Sequence, residues 1–166
     1  LVTDDIASGQ EHLKRRGIAG DLPVFKVTAA ACEEGRRIDE VVAVFDLVND
    51  RTRSLGVAFA GCTLPGWDEP LFRVEATQMG VGMGIHGEPG IHDEALGTAD
   101  EVAAMLVDRL LADRPNNSGT RVVPIVNGLG STKYEELFVL WNSVSRRLED
   151  AGLTIVCLLY TSDAAD

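Results

Sequence analysis

The sequence predicts an α/β protein in which the end of one α/β domain is followed by a second α/β domain. Three observations support this prediction. Four segments have the composition or apolar spacing of helices, and short apolar runs typical of strands alternate with them. The character of the chain also changes near residues 50–54, which indicates a domain junction. We expect a mixed or parallel sheet with flanking helices in the second domain.

The first part of the chain predicts the end of a strand, a connection and two helices. Residues 1–5 pass from apolar to acidic, and residues 11–23 hold two glycines and a proline, as in a connecting segment. Residues 24–35 are rich in alanine and end in Gly35, which favours a helix with a glycine stop. Residues 38–50 place apolar side chains three and four apart, on one face of an amphipathic helix: Ile38, Val41, Val42, Phe45 and Val48.

The second part opens with strand-like segments and a helix. Residues 54–61 form a short apolar run suited to a buried strand, and residues 71–76 alternate like a half-buried strand. Residues 98–115 have helical spacing, and Thr98 with Glu101 three positions later is typical of a capping box. A helix is therefore expected to begin after Thr98.

The remaining segments predict a strand, a turn, a helix and a strand. Residues 120–132 have the pattern of a strand that leads into a glycine-rich turn. Residues 133–152 predict a helix of roughly 20 residues that stops at Gly152. Residues 153–160 are apolar and predict a last strand. The order of elements is that of an α/β domain.

Charge and composition exclude several classes of function. The 166 residues carry 26 acids against 15 bases, a net charge of −11, which argues against binding nucleic acids or anionic membranes. No apolar run reaches the length of about 18 residues that spans a bilayer. The three cysteines are far apart and odd in number, as in a cytoplasmic protein with reduced thiols: Cys32, Cys62 and Cys157.

The most unusual segment is MGVGMGIHGEPG, residues 79–90. In a strand, Gly80, Gly82 and Gly84 would leave one face without side chains, so that a ligand or another backbone could come close. His86 has the same strand parity and would project from that face. A structural histidine at a tight strand crossing is the alternative, and the spacing by itself favours that alternative. A metal site is not favoured, because His86 has no second ligand at a suitable spacing.

Other residues with possible chemistry are less specific. Glu88 shares the parity of His86 and either bonds its second ring nitrogen or is a solvated turn carboxylate. Residues 126–133 form a glycine-rich turn before a helix, where a phosphate could bind, although a plain βα turn is favoured. Cys62 has no visible base or cationic neighbour that would make it a nucleophile.

Four runs together resemble the substrate-binding unit of the dihydroxyacetone kinases, the DhaK type. They occur in the order of that family, and GIHGEPG is the most specific motif among them: AAACEEG (29–35), GVAFAGCTLPG (56–66), MGVGMGIHGEPGI (79–91) and VNGLGSTKYEEL (126–137). The resemblance covers residues 1–156. It implies a cytoplasmic kinase that phosphorylates a terminal hydroxyl of dihydroxyacetone or a similar small ketose or aldose.

The resemblance also implies the site. The histidine of GIHGEPG, here His86, would bond covalently to the substrate carbonyl as a hemiaminal, and Gly82, Gly84 and Glu88 would line the same substrate site. Glycerol has no carbonyl and could not form this bond, so the chemistry itself would discriminate between the two substrates. No cofactor is expected in this chain. ATP with magnesium on a separate helical DhaL-type domain, or a phosphoenolpyruvate-driven relay, would supply the phosphoryl group.

The resemblance divides the chain into three parts. Residues 1–52 would be the end of the first subdomain, residues 53–156 the truncated second subdomain, and residues 157–166 an unrelated tail. A family segment like GGGSGHEP, a second histidine and a base aspartate are not present, so we expect a fragment of a longer, homodimeric parent that is inactive alone. A non-catalytic regulator with this fold and an unrelated ligand-binding module remain alternatives.

Overall fold

The computed structural model describes residues 1–61, 63–85, 87–128 and 132–161. Two short 3-10 helices, Ile6–Ser8 and His12–Lys14, precede the regular elements. These follow in the order α1 (Asp21–Glu33), α2 (Ile38–Arg51), β1 (Val57–Ala58), β2 (Gln78–Val81), β3 (His92–Ala95), α3 (Ala99–Ala112), β4 (Arg121–Val122), β5 (Ile125–Asn127), α4 (Tyr134–Asp150), β6 (Thr154–Ile155) and β7 (Leu159–Thr161).

All four predicted helices are confirmed, and so are the local signals at their ends. Gly35 and Gly152 adopt φ values of 72° and 75°, in the left-handed region that glycine enters at little cost, directly after α1 and α4. Thr98 accepts a hydrogen bond from the backbone of Glu101, whose side chain accepts one from the Thr98 backbone. The capping box therefore begins α3 as predicted.

The apolar face of α2 is only partly covered. Helices α1 and α2 pack against each other, and Val41 of α2 is buried. Ile38 and Val42, on the same predicted face, are exposed to 77% and 50%, and Phe25 of α1 is exposed to 62%. The helical spacing was predicted correctly, whereas the burial of the whole face was not, because it depends on what packs against the helix.

A three-stranded antiparallel sheet has the order β1-β2-β3. The strand predicted at residues 71–76 is wrong, because this segment pairs with no other strand among the described residues. It lies instead against Gly61, where the carbonyl oxygen of Phe72 occupies the space that a Cβ atom would need. The strand end predicted at residues 1–5 is reduced to a single parallel bridge between Asp5 and Ser54.

Two parallel strand pairs form a second, separate region of sheet. Strand β4 pairs with β6 and β5 pairs with β7, and α4 provides the crossover that parallel neighbours require. Val122 and Ile125 are three positions apart in the sequence, whereas their partners Ile155 and Leu159 are four positions apart. The segment that contains β6 and β7 therefore has one more residue between its paired positions than the segment that contains β4 and β5. The single strand predicted at residues 153–160 is therefore divided into two. Its second half, β7, lies in the predicted tail 157–166, whose unrelated origin stays a prediction.

The core of the second part is built on α3. One cluster packs β2 against α3 through Met79, Val81 and Val102, and the other packs α3 against α4 through Ala103, Val107 and Val144. Because α3 contributes to both clusters, it fixes the antiparallel sheet relative to α4. Within the described residues, no helix is both long enough and apolar enough to span a membrane.

Candidate functional site

The glycine-rich loop that follows β2 is closed at its base by backbone hydrogen bonds. The Gly82 N–H donates to the Gly56 oxygen at 2.8 Å, and the Ile91 N–H donates to the Val81 oxygen at 2.8 Å. Gly82 has φ 75°, a conformation that other residues adopt only with strain. We refer to residues 82–90 as the Gly82 loop. The two hydrogen bonds, at Gly82 and at Ile91, hold the two ends of this loop against the sheet.

A tight turn lies inside the Gly82 loop. The Gly84 N–H donates to the Glu88 oxygen at 3.0 Å, and the Gly87 N–H donates to the Gly84 oxygen at 3.1 Å. The carboxylate of Glu88 lies where a Cβ atom on Gly84 would be, so this position accepts only glycine without rearrangement. His86 lies outside the described residues, and the expectations that concern it remain predictions. Gly82, Gly84 and Glu88 do lie together in one loop.

The strand parity predicted for this segment is wrong. Strand β2 ends at Val81, and the left-handed conformation of Gly82 breaks the alternation that would place Gly82 and Gly84 on one face. The glycines do not form a bare floor either. A Cβ atom on Gly82 would collide with Ala7, so the absence of a side chain allows the loop to pack closely on the N-terminal segment.

A groove of about 1450 Å³ joins two of the motifs identified in the sequence. Gly84 and Ile85 of the Gly82 loop line it at one place, and Asn127 and Thr132 of the glycine-rich turn line it at another. Its other lining residues come from α3, α4, strands β4 and β5, and the segments on both sides of β1, and many of them are apolar. The cleft thus combines an apolar lining with charged side chains, among them Arg53, Arg121 and Glu136.

An ion pair touches the base of the Gly82 loop from the N-terminal segment. The Arg16 guanidinium donates from Nε and Nη2 to the Asp5 Oδ2 at 2.9 and 2.7 Å, and from Nη2 to the Gly82 oxygen at 3.0 Å. Asp5 is 1% exposed and also accepts from the Ala7 N–H at 3.0 Å. We refer to Asp5, Arg16 and the Gly82 carbonyl as the Asp5 cluster.

A second group of charges lies at the C-terminal end of α3. Arg15 donates to both carboxylate oxygens of Asp113 at 2.6 and 2.8 Å, and Arg53 donates to the same carboxylate at 2.7 Å. His12 Nε2 lies 3.1 Å from Nη1 of Arg53. We refer to Arg15, Asp113, Arg53 and His12 as the Asp113 cluster. It joins the N-terminal segment to the helix end, where a carboxylate alone would be disfavoured by the helix dipole.

The Asp113 cluster shifts the titration of its members. The hydrogen bond from the Arg15 side chain is the main reason that the pKa of Asp113 lies below its ordinary value. Burial, followed by the charge of Arg53, lowers the pKa of His12. His12 is therefore held in its neutral form to a lower pH than a solvated histidine.

No sequence motif marks Asp5, Arg15, Arg16 or Asp113 as functional residues. The only local signal is the pair of adjacent arginines in a connecting segment of an acidic chain. Ninety-eight residues of sequence separate Arg15 from Asp113, and 66 separate Arg16 from Gly82. Such pairs cannot be found from spacing, because only the tertiary fold brings them together.

Comparison with known proteins identifies the family. A model of the Dak1 domain matches residues 1–162, and the chain therefore belongs to the Dak1 family. The match extends past residue 156, where the resemblance noted in the sequence was expected to end. The predicted resemblance to the dihydroxyacetone kinase substrate-binding unit is confirmed.

Curated relatives include an erythrulose kinase and a subunit of a dihydroxyacetone kinase. The chain is 57% identical over 157 residues to a D-erythrulose kinase of Mycolicibacterium smegmatis, covering 93% of this chain and 27% of that protein. It is 37% identical over 155 residues to the dihydroxyacetone-binding subunit DhaK of a PTS-dependent dihydroxyacetone kinase of Listeria innocua, covering 93% of this chain and 47% of that protein. The chain thus spans about a quarter to a half of the length of these relatives.

Solved structures share the fold. A dihydroxyacetone kinase operon co-activator superposes with a TM-score of 0.85 at 30% identity, over 98% of this chain and 52% of its own. The native form of the dihydroxyacetone kinase of C. freundii also gives a TM-score of 0.85 at 30% identity, over 99% of this chain and 30% of its own. The predicted α/β class is confirmed by these similarities.

Proposed function

We propose that this chain is the substrate-binding part of a longer kinase that phosphorylates a short-chain ketose. The observation that carries the proposal is the 57% identity to a D-erythrulose kinase over 93% of the chain. Relatives that act on dihydroxyacetone match at lower identity, such as the 37% of the Listeria innocua subunit. Erythrulose is therefore favoured over dihydroxyacetone as the substrate.

In this proposal His86 holds the ketose through its carbonyl carbon. A ring nitrogen of neutral imidazole forms a bond to that carbon, the carbonyl π electrons move to the oxygen, and one proton passes from the imidazole to that oxygen. The product is a hemiaminal, from which no atom is lost. Before the bond forms, Glu88 accepts the hydrogen bond of the other ring nitrogen and so leaves the attacking nitrogen unprotonated; it is this N–H proton that the oxygen gains. The backbones of Gly82 and Gly84 shape the site around the substrate.

The phosphoryl transfer itself needs a second module. ATP with magnesium on a helical DhaL-type domain or subunit, or a relay driven by phosphoenolpyruvate, supplies the phosphoryl group, and a homodimeric parent is proposed. The donor P–O bond breaks, a bond from phosphorus to the terminal hydroxyl oxygen of the ketose forms, and the hydroxyl proton is lost to a base. This chain contributes the positioning of the hydroxyl.

The test measures adduct formation and turnover in the longer kinase that contains this chain. With carbonyl-labelled erythrulose or dihydroxyacetone, we expect the ¹³C resonance to move from the ketone region to that of a tetrahedral carbon bearing nitrogen and oxygen. His86→Ala should abolish the shifted resonance and the preference for ketose over glycerol. An adduct that survives in His86→Ala, or an unchanged preference, would contradict the role of His86.

A second candidate function is supported by the similarity to the operon co-activator, which shares the fold at a TM-score of 0.85. In that case the chain would be part of a regulator that senses a ketose without phosphorylating it. The same experiment separates the two candidates. A regulator would give the adduct with no turnover for any phosphoryl donor, whereas a kinase gives both.

A further inference from the structure

The Asp5 cluster is preorganised by a closed segment of backbone. The Asp5 N–H donates to the Arg16 oxygen at 3.1 Å, and the Arg16 N–H donates to Oγ of Ser8 at 2.9 Å. The two members of the ion pair are therefore held at the two ends of one short loop. Because Asp5 is 1% exposed, its charge needs the guanidinium as a partner. These contacts orient the Arg16 side chain toward the Gly82 carbonyl.

Gly82 is held from three directions. Its N–H donates to Gly56, its carbonyl accepts from Arg16, and its Cα faces Ala7 so closely that no Cβ atom would fit. Gly82 is also the residue at which the chain leaves β2 in a left-handed conformation. The orientation of this peptide group therefore affects the direction in which the chain leaves β2.

We infer that Arg16 is a positioning residue, which orients the loop that carries His86 by holding the Gly82 carbonyl. The effect of Arg16 on ketose binding rests on the proposed function, whereas its effect on the loop does not. A guanidinium suits this role because its planar fork donates in two directions at once, to the Asp5 carboxylate and to the Gly82 oxygen. A lysine ammonium keeps the charge but lacks that geometry.

The experiment compares Arg16→Lys with Arg15→Lys in the longer kinase. Arg15 is a matched control, since it is the adjacent arginine, is 4% exposed and binds a carboxylate, but its hydrogen bonds go to Asp113 and Gly9. We expect Arg16→Lys to raise the ketose KM by about tenfold or more and to weaken the preference over glycerol, with the donor KM unchanged. Arg15→Lys should lose stability and leave the ketose KM unchanged.

Hydrogen exchange makes the outcome independent of catalysis. In Arg16→Lys the amides of Gly84 and Gly87, which hold the inner turn of the Gly82 loop, should exchange faster than in wild type and in Arg15→Lys. Unchanged exchange at both amides, or an equal rise of the ketose KM in both variants, overturns the inference. If the wild type neither binds nor phosphorylates a ketose, the proposed function fails, and the exchange measurement still decides the role of Arg16.

A double variant covers the case in which Arg16→Lys does not fold. Asp5→Asn with Arg16→Gln removes both charges together, so no buried charge is left without a partner. The side chain of Gln is shorter than that of Arg and has no charge, so it cannot bind residue 5 and the Gly82 oxygen at the same time, as the guanidinium does. The same rise in the ketose KM and the same faster exchange are expected. A double variant with wild-type values for both would overturn the inference.

Discussion

The Asp5 cluster and the Asp113 cluster use adjacent arginines for different purposes. Arg15 joins the N-terminal segment to a helix end through a carboxylate that a second arginine also binds. Arg16 binds a carboxylate of its own segment and extends to the backbone of the Gly82 loop. In the Asp113 cluster two arginines therefore bind one carboxylate, so that the link is redundant. In the Asp5 cluster one arginine connects a carboxylate to the candidate site.

The difference in burial makes the Asp5 cluster the more sensitive of the two. Asp5 is 1% exposed, whereas the Asp113 side chain is 30% exposed and keeps Arg53 when Arg15 is removed. A buried carboxylate that loses its cation is strongly destabilising, because the interior solvates it poorly. A partly exposed one with a second partner is less affected.

The largest expected effect is therefore that of Arg16→Ala. We expect it to lower the free energy of unfolding by about 3 kcal/mol or more, because the Asp5 charge loses its guanidinium. The matched change Arg15→Ala should cost about half as much, since Arg53 remains on Asp113. Urea unfolding of both variants provides the measurement. An equal or larger loss in Arg15→Ala would refute the argument from burial and redundancy.

A smaller effect is expected for Gly82→Ala, which tests the backbone member of the Asp5 cluster. Gly66 is the control: it has φ 82° and open space around its Cα, whereas Gly82 has φ 75° and faces Ala7. Gly66→Ala should cost about 1 kcal/mol from backbone strain alone. Gly82→Ala should cost a further 1–2 kcal/mol or so because of the steric collision. Equal losses in thermal unfolding would show that the contact with Ala7 is unimportant.

The pH dependence of stability tests the Asp113 cluster. Burial and Arg53 lower the pKa of His12 in the folded state below its ordinary 6.5, so on acidification the unfolded chain binds the proton first. The contribution of neutral His12 is complete above pH 6.5 and is lost as the pH falls from there through the lowered folded pKa. Asp113, whose pKa the Arg15 hydrogen bond lowers, loses its contribution only below its ordinary 3.8.

His12→Gln checks this prediction. The variant should show a flatter dependence of its melting temperature on pH just below 6.5, because glutamine does not titrate. Between pH 7 and 8, where His12 is neutral in both states, the pH dependence of wild type and variant should match. A wild-type slope that persists in His12→Gln would assign the pH dependence to another group.

The smallest effect is expected at the exposed pair of the same segment. Glu11 and Lys14 lie 2.7 Å apart with side chains 71% and 75% exposed. Lys14→Ala should change the free energy of unfolding by no more than about 0.5 kcal/mol, because water already solvates both charges. A loss comparable to that of Arg15→Ala would show that burial does not rank these ion pairs.

The parts of the candidate site that could be predicted are those with a local signature. GIHGEPG indicated the position of the Gly82 loop along the chain, and the glycines at its turns, Gly82 and Gly87, do have positive φ values. The predicted extension of the strand through this segment was wrong. Alternation of glycine is compatible with a strand, but the paired register of β2 with β1 and β3 ends at Val81, where Gly82 takes a left-handed conformation.

The sequence by itself determined the four helices, because their capping box, glycine stops and apolar spacing act within a few residues of the helix they specify. Only the tertiary structure decided which segments pair as strands, where the extra residue falls between β6 and β7, and which cations reach Asp113 and the Gly82 carbonyl. Those contacts join residues tens of positions apart. Their free energy depends on burial and on a partner, which are properties of the folded chain and not of any local pattern.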